Sequence, residues 1–327
     1  MKRSISLILK VFASIGLLWL LVYKCDIDFS VLVATIAEAD KLALSFAVIL
    51  AVLLLFAKSF RWRYMVLPHS PLGVLEAFRF YLEAFALGVV TPGRLGEFFK
   101  VYQLCAGKKM TVGRSLETVL SDRFFDLFFL VWIGSAGALY WSGFKGFAGN
   151  ILTSVGVTLV LGLICLFAGV ALLERLPMPK RFPKLAAMAG NVVDAAAVML
   201  SKRGLHAWGV SLCAYTVYFY SNMLILNACG VEVDYFTTAF LFSVVGLVLL
   251  LPISIAGLGT REATMVFLLA PYGFDSSQVM AAALCQFAIY FLLLGAIGML
   301  LLSSNPLKIS EITAKLRALK SGMSDKA

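Results

Sequence analysis

The sequence is short of charge: only 14% of its 327 residues are Asp, Glu, Lys or Arg, while 61% are hydrophobic. A soluble domain of this length could not hide that much apolar surface, which excludes the ordinary soluble classes. Catalytic and metal-binding patterns are also missing. There is no CxxC pair, and the six cysteines (25, 105, 165, 213, 229, 285) are scattered, mostly in apolar runs, as small apolar helix residues. The two histidines, His69 and His206, are far apart and show no metal-ligand spacing, so neither a metal nor a cofactor is expected. No G-x-x-x-x-G-K-[ST], GxSxG or HExxH motif occurs, so ATP hydrolysis by this chain is not expected. No stretch alternates as a membrane β-barrel strand would.

What the chain does have is long apolar runs. Several exceed the roughly 18 residues needed to cross hydrocarbon, which defines an all-α polytopic membrane protein. Six spans are expected, at about 5–23, 42–57, 117–141, 150–173, 205–229 and 276–302. The start, "MKRSISLILKVFASIGLLWLLVY", has a basic head and an apolar core. No small-residue cleavage site follows, so it reads as an uncleaved first span. The net charge of +10 sits mostly between spans, as the positive-inside rule requires, and nucleic-acid binding is not expected. Basic segments (the N-terminus, 58–63, 100–114, 174–203 and the tail 304–327) are assigned to the cytoplasm. The acidic or neutral ones (24–41, 142–149, 230–238, 271–277) are assigned outside, so both termini are cytoplasmic in a bacterial inner membrane.

That bookkeeping leaves two interrupted apolar stretches. One lies between 58–63 and 100–114 and must enter and leave on the cytoplasmic side; the other lies between 230–238 and 271–277 and must do so from outside. Pro92, Gly93 and Gly96 break the first, and Pro252, Gly257 and Gly259 break the second. Both read as re-entrant helical hairpins, with eight full spans as the alternative. Span, hairpin, span then occurs twice in opposite orientation, about 42–141 and 205–302 within a single domain of residues 1–303. A short echo supports it: "PGRLGE" (92–97) against "GLGTRE" (257–262). Inverted repeats with broken helices place transporter sites near the midplane.

The few charges inside this frame are the candidate site: Arg94, Glu97, Lys100, Asp122, Arg123, Asp126, Arg261 and Glu262. Each would cost about 2.5–3.5 kcal/mol facing lipid at a helix centre, so they should face one another or a wet cavity. Asp122 and Asp126 are four apart on one helix face and need a cation, which Arg94, Lys100 or Arg261 could supply. Thr91 and Thr260 can cap the second arms of the hairpins, with Pro92 at a first helical position. Two helix N-termini and two arginines would then face a phosphate-like anion, which Arg holds bidentately. Mutual pairing of the four positive and four negative residues is the plainer alternative.

At these residues the chain resembles a known family. "TPGRLGEFFK" (91–100), "SDRFFDL" (121–127) and "PISIAGLGTREA" (252–263) are similar to three signatures of the flippase-like family named after the transmembrane region of lysylphosphatidylglycerol synthase. The resemblance spans roughly residues 5–303 and matches the family's charged positions at Arg94, Glu97, Asp122, Arg123, Asp126, Arg261 and Glu262. Asp122 departs from an expected Glu but keeps the charge. The resemblance implies translocation of lipids with charged or phosphate-linked head groups, with membrane lipids as partners and no enzymatic step. Larger members carry a soluble aminoacyl-transferase domain, whose activity is not expected here. A membrane glycosyl- or phosphotransferase acting on lipid-linked substrates, with Asp122, Asp126 or Glu97 as base, is the alternative. A non-catalytic subunit of a lipid-assembly complex is a third reading, and a homo-oligomer stays open.

Overall fold

The computed structural model describes residues 27–140, 201–251 and 256–304, plus isolated positions at 16, 19, 22, 23, 25, 198, 199 and 254. Most of expected span 1, span 4, the stretch 174–197, Pro252 and the tail beyond 304 lie outside the described residues. Within them every regular element is helical: α1 (Phe29–Glu38), α2 (Lys41–Val66), α3 (Val74–Val90), α4 (Phe99–Lys108), α5 (Val112–Tyr140), α6 (Lys202–Ala228), α7 (Tyr235–Val248), α8 (Thr260–Leu269) and α9 (Ser276–Ser303). A 3-10 segment, Pro92–Phe98, links α3 to α4, and a π turn, Ala288–Leu293, interrupts α9.

Three described helices are long and apolar enough to cross a membrane: α2, residues 204–228 of α6, and α9. On α2, Leu42, Phe46, Ile49 and Leu53 form an exposed stripe at helical spacing, while Ala47, Ala51, Leu54 and Leu55 are buried on the other face. Such a stripe suits lipid rather than water. Helix α5 is 29 residues, about 43 Å at 1.5 Å per residue. Its first half carries Arg114, Glu117, Asp122, Arg123 and Asp126.

Helices α2 and α6 pack antiparallel along their length. Asp40 N donates to Ala228 O at 3.2 Å, Ser221 Oγ to Ala47 O at 3.0 Å, and Arg61 Nη1 to Ser211 Oγ at 2.9 Å, while the Tyr64 and His206 rings stack at 6.1 Å. The hairpin arms α3 and α4 are also antiparallel. Gln103 Nε2 donates to Glu83 Oε2 at 2.7 Å, and Lys108 Nζ meets Glu76 Oε2 at 2.6 Å, so the chain returns to the end it left. At the tip, a Cβ on Gly96 would overlap the Leu87 backbone. The second hairpin does likewise: Gly257 lies against Leu249, and the Tyr272 hydroxyl lies against Thr237 near Asp234.

The remaining packing is reciprocal. Helix α5 lies on α7, with Gly134 and Gly137 admitting Ser243 and Phe240; α9 lies on α3, with Gly295 and Gly298 admitting Val89 and Leu82. The loops sort by end. Asp28 N donates to Ser277 Oγ at 3.0 Å, which joins the loop before α1 to the start of α9. His69 Nε2 lies 3.8 Å from Glu117 Oε1 at the opposite end, where α2 finishes and α5 begins. Four helices at the first end, α1, α2, α7 and α9, start on Asp28, Asp40, Asp234 and Asp275, each accepting two backbone N–H bonds. These are the acidic loops of the sequence, doing the capping that helix N-termini need.

Candidate functional site: a charge cluster between two hairpin tips

The site begins with two backbone breaks. In the first hairpin, Gly93 (φ 61°) and Arg94 (φ 54°) are left-handed; in the second, Ala256 (φ 55°) and Gly257 (φ 80°) are. A non-glycine residue pays for that conformation, and such strain concentrates at functional positions. Thr91 holds the first break shut: its hydroxyl donates to Leu87 O at 2.8 Å and accepts from Gly96 N at 2.6 Å. The two tips meet. Gly88, Thr91, Gly93 and Arg94 share a small cavity with Ser254, Ala256 and Gly257.

Both expected caps take a different form. The arm after Pro92 opens as a 3-10 segment, and α4 begins only at Phe99, because the left-handed pair Gly93–Arg94 cannot continue an α-helix. Thr260 is the first residue of α8 rather than its cap. Gly259 (φ 83°) is the cap, and Glu262 Oε2 reaches back to accept Gly259 N at 2.6 Å. The α8 N-terminus therefore already holds a carboxylate.

Beside the tips, α5 carries the charge cluster. Arg61 is fully buried; its Nε donates to Asp122 Oδ1 at 3.0 Å, and its Nη2 contacts Asp122 and Asp126. Lys100 Nζ meets Asp122 Oδ2 at 2.8 Å, and the Tyr81 hydroxyl donates to the same oxygen at 3.2 Å. Lys58 Nζ lies 3.1 Å from Asp126 Oδ1. Arg123 Nη2 joins Glu97 Oε2 at 2.6 Å, Asp122 Oδ2 at 3.3 Å and Asp126 Oδ2 at 3.4 Å. Arg94 Nη1 is only loosely paired, 3.8 Å from Glu97 Oε1.

The Asp122–Asp126 pair thus takes Lys100 as a partner, but neither Arg94 nor Arg261 makes an ion pair with it among the described residues. Its main cations are Arg61 and Lys58, which the sequence reading assigns to a basic loop after residue 57. Helix α2 runs on to Val66, and Lys58 and Arg61, one turn apart, face α5. Only Arg63 behaves as a loop-end residue, donating to Leu72 O at 2.6 Å. The three-residue spacing of Lys58 and Arg61 is a signal that could have separated them from Arg63.

A cavity of about 240 Å³ opens onto this cluster. Its charged lining is Lys58, Arg94, Glu97, Arg123 and Asp126, and leucines including Leu54, Leu127 and Leu250 also line it. Tyr215, Tyr218, Gln286, Tyr290 and Phe291 also line it, the last two from the π turn of α9. Lys100 and Asp122 sit behind this wall, fully buried. Arg261 and Glu262 form a separate buried pair, with Arg261 Nη2 2.8 Å from Glu262 Oε1. Phe291 joins the two halves: the Arg94 and Arg261 guanidinium carbons lie 5.4 and 4.8 Å from its ring centre. Arg261 Nη1 and Arg123 Nε are buried donors without a hydrogen-bond partner. Among the described residues no group of His, Cys, Asp or Glu is placed to hold a metal.

Apolar helices with a charged, half-apolar interior cavity define a membrane-embedded helical protein. Residues 7–298 match the family model described as the lysylphosphatidylglycerol synthase TM region, and the chain belongs to that family, which ties it to lipid metabolism or translocation. A comparison with curated proteins returns no match.

Proposed function

We propose that the protein is a lipid flippase of the bacterial cytoplasmic membrane, moving a lipid with a phosphate-bearing or charged head group between leaflets without hydrolysing ATP. The observation that carries this is the cavity itself, lined by Lys58, Arg94 and Arg123 with Glu97 and Asp126, and by leucine and aromatic side chains. That pairing fits an amphiphile: head group at Arg94, Arg123 and Lys58, acyl chains toward the bilayer. Glu97 and Asp126 would hold the cations in place when the site is empty and release them to the arriving head group.

The architecture favours transport. The α2–α6 pair is antiparallel, the contact of α5 on α7 is reciprocated by α9 on α3, and left-handed breaks occur in both hairpins. Those features support an inverted repeat, residues about 42–141 and 205–302, with two re-entrant hairpins meeting near the midplane. The positive-inside rule then sets the His69–Glu117 end and both termini in the cytoplasm. Rocking of one repeat against the other would expose the cavity alternately.

The test is transport of a head-group-labelled anionic lipid in proteoliposomes. Arg94→Gln should abolish it while insertion and folding persist, since Arg94 is the cavity's most weakly paired cation. Full transport by that variant would sink the site. A labelled lipid that returns with changed mass would instead support the transferase reading.

A further inference from the structure

Among the described residues, the charges around the cavity do not balance. Five cations (Lys58, Arg61, Arg94, Lys100, Arg123) form one connected network with three carboxylates (Glu97, Asp122, Asp126) through the ion pairs described above. The neighbouring pairs cancel internally: Arg261 with Glu262, and Arg79 with Glu83 at 2.8 Å. Among the described residues the network is therefore left with two positive charges in excess. Lys58, Arg94 and Arg123 face the cavity with 15%, 31% and 22% of their side chains exposed; a head group that displaces water from them leaves charge uncompensated, at several kcal/mol per ion, unless it supplies two negative charges. Two buried guanidinium donors, Arg123 Nε and Arg261 Nη1, also lack acceptors.

We propose that the head group this site takes is a dianion, a lipid phosphomonoester, rather than the monoanionic phosphodiester of most membrane lipids. The inference rests on the flippase reading and narrows it. One dianionic phosphate brings the network to neutrality; a diester leaves one charge over. The 240 Å³ cavity is smaller than the roughly 300–1,000 Å³ of drug-sized ligand sites, so it suits a bare phosphate with a few waters better than a sugar-bearing head group.

The experiment uses the full chain in phosphatidylcholine nanodiscs at about pH 8, above the second ionisation of a phosphomonoester near 6. Binding of phosphatidic acid and of phosphatidylglycerol is compared by native mass spectrometry. The expected result is about tenfold or more in favour of phosphatidic acid. Lys58→Gln lowers the excess to one and should bring the ratio near unity; Lys58→Arg should keep it. Equal binding of the two lipids to the native protein, or a ratio unmoved by Lys58→Gln, overturns the dianion. If those lipids bind no better than phosphatidylcholine, or Arg94→Gln weakens neither, the flippase site falls with it. Inorganic phosphate binding as tightly as phosphatidic acid would overturn the lipid as the source of the charge.

Discussion

The first hairpin presents Arg94 with 31% of its side chain exposed and 3.8 Å from its carboxylate, whereas the second holds Arg261 fully buried and 2.8 Å from Glu262. Both tips turn on residues at positive φ, two in the first and three in the second, and both arginines lie against Phe291. The backbone device is shared, but the chemistry is not. The first tip keeps its cation available to the cavity. The second spends its carboxylate twice, on the α8 N-terminus through Gly259 and on Arg261. On the proposed flippase reading, the second tip would act as an anchor and the first as the part that exchanges partners.

The sharpest way to break this comparison is to remove each arginine. Arg261→Gln leaves Glu262 buried without its cation and should cost about 3–5 kcal/mol, read as a large fall in thermal midpoint in detergent. Arg94→Gln should cost under about 1 kcal/mol, since a loose, partly exposed pair contributes little, yet it should remove transport. Equal losses of stability would mean that the two tips do the same job. The tip glycines give a smaller contrast. Gly96→Ala drives a methyl into the rigid Leu87 backbone and should cost about 1–3 kcal/mol. Gly257→Ala meets the mobile end of Leu249 instead, so its cost comes mainly from placing Ala at φ 80°, about 1 kcal/mol. The order of the two midpoints checks this.

Much of this was legible in residue order. The bounds 276–303 of α9 fall within a residue of the expected span 276–302, because a helix in lipid must satisfy its whole backbone and its limits follow hydropathy. The breaks at Gly93 and Gly257 were visible because few residues tolerate positive φ. Two things were hidden. Lys58 and Arg61 looked like loop charge, since the positive-inside rule counts residues and cannot see that a helix continues another two turns with one face turned inward. The partner of each carboxylate was also unreadable: that Asp122 takes Arg61 and Lys100 depends on how α2 and α4 pack against α5, which is tertiary information. The pairing of Arg261 with adjacent Glu262 shows the same limit from the other side, since two neighbours in sequence pair with each other while Arg261 Nη1 keeps no acceptor.

The smallest effects lie where the two hairpins start. The first arm of hairpin 2 is capped by Asp234, which accepts from Phe236 N at 2.8 Å and Thr237 N at 3.0 Å. The first arm of hairpin 1 starts on Gly73, whose N–H reaches Glu76 at a long 3.4 Å. Asp234→Ala should therefore cost about 1 kcal/mol. Glu76→Gln, which also loses the half-exposed pair with Lys108, should cost about 0.2–1 kcal/mol. Acid separates the two. Partial burial works against the ionised form of Asp234, but hydrogen bonds from the Thr237 hydroxyl and the two amides outweigh it and hold its carboxyl below the usual range. A depressed folded value means the cap's contribution is complete above the unfolded value near 3.9 and is lost as the pH falls through the folded one. Thermal midpoints of the native protein and Asp234→Ala should thus converge only in strong acid. Convergence at or above neutral pH would show that Asp234 does not hold the second hairpin, and that its anchoring rests on Arg261 and Glu262 alone.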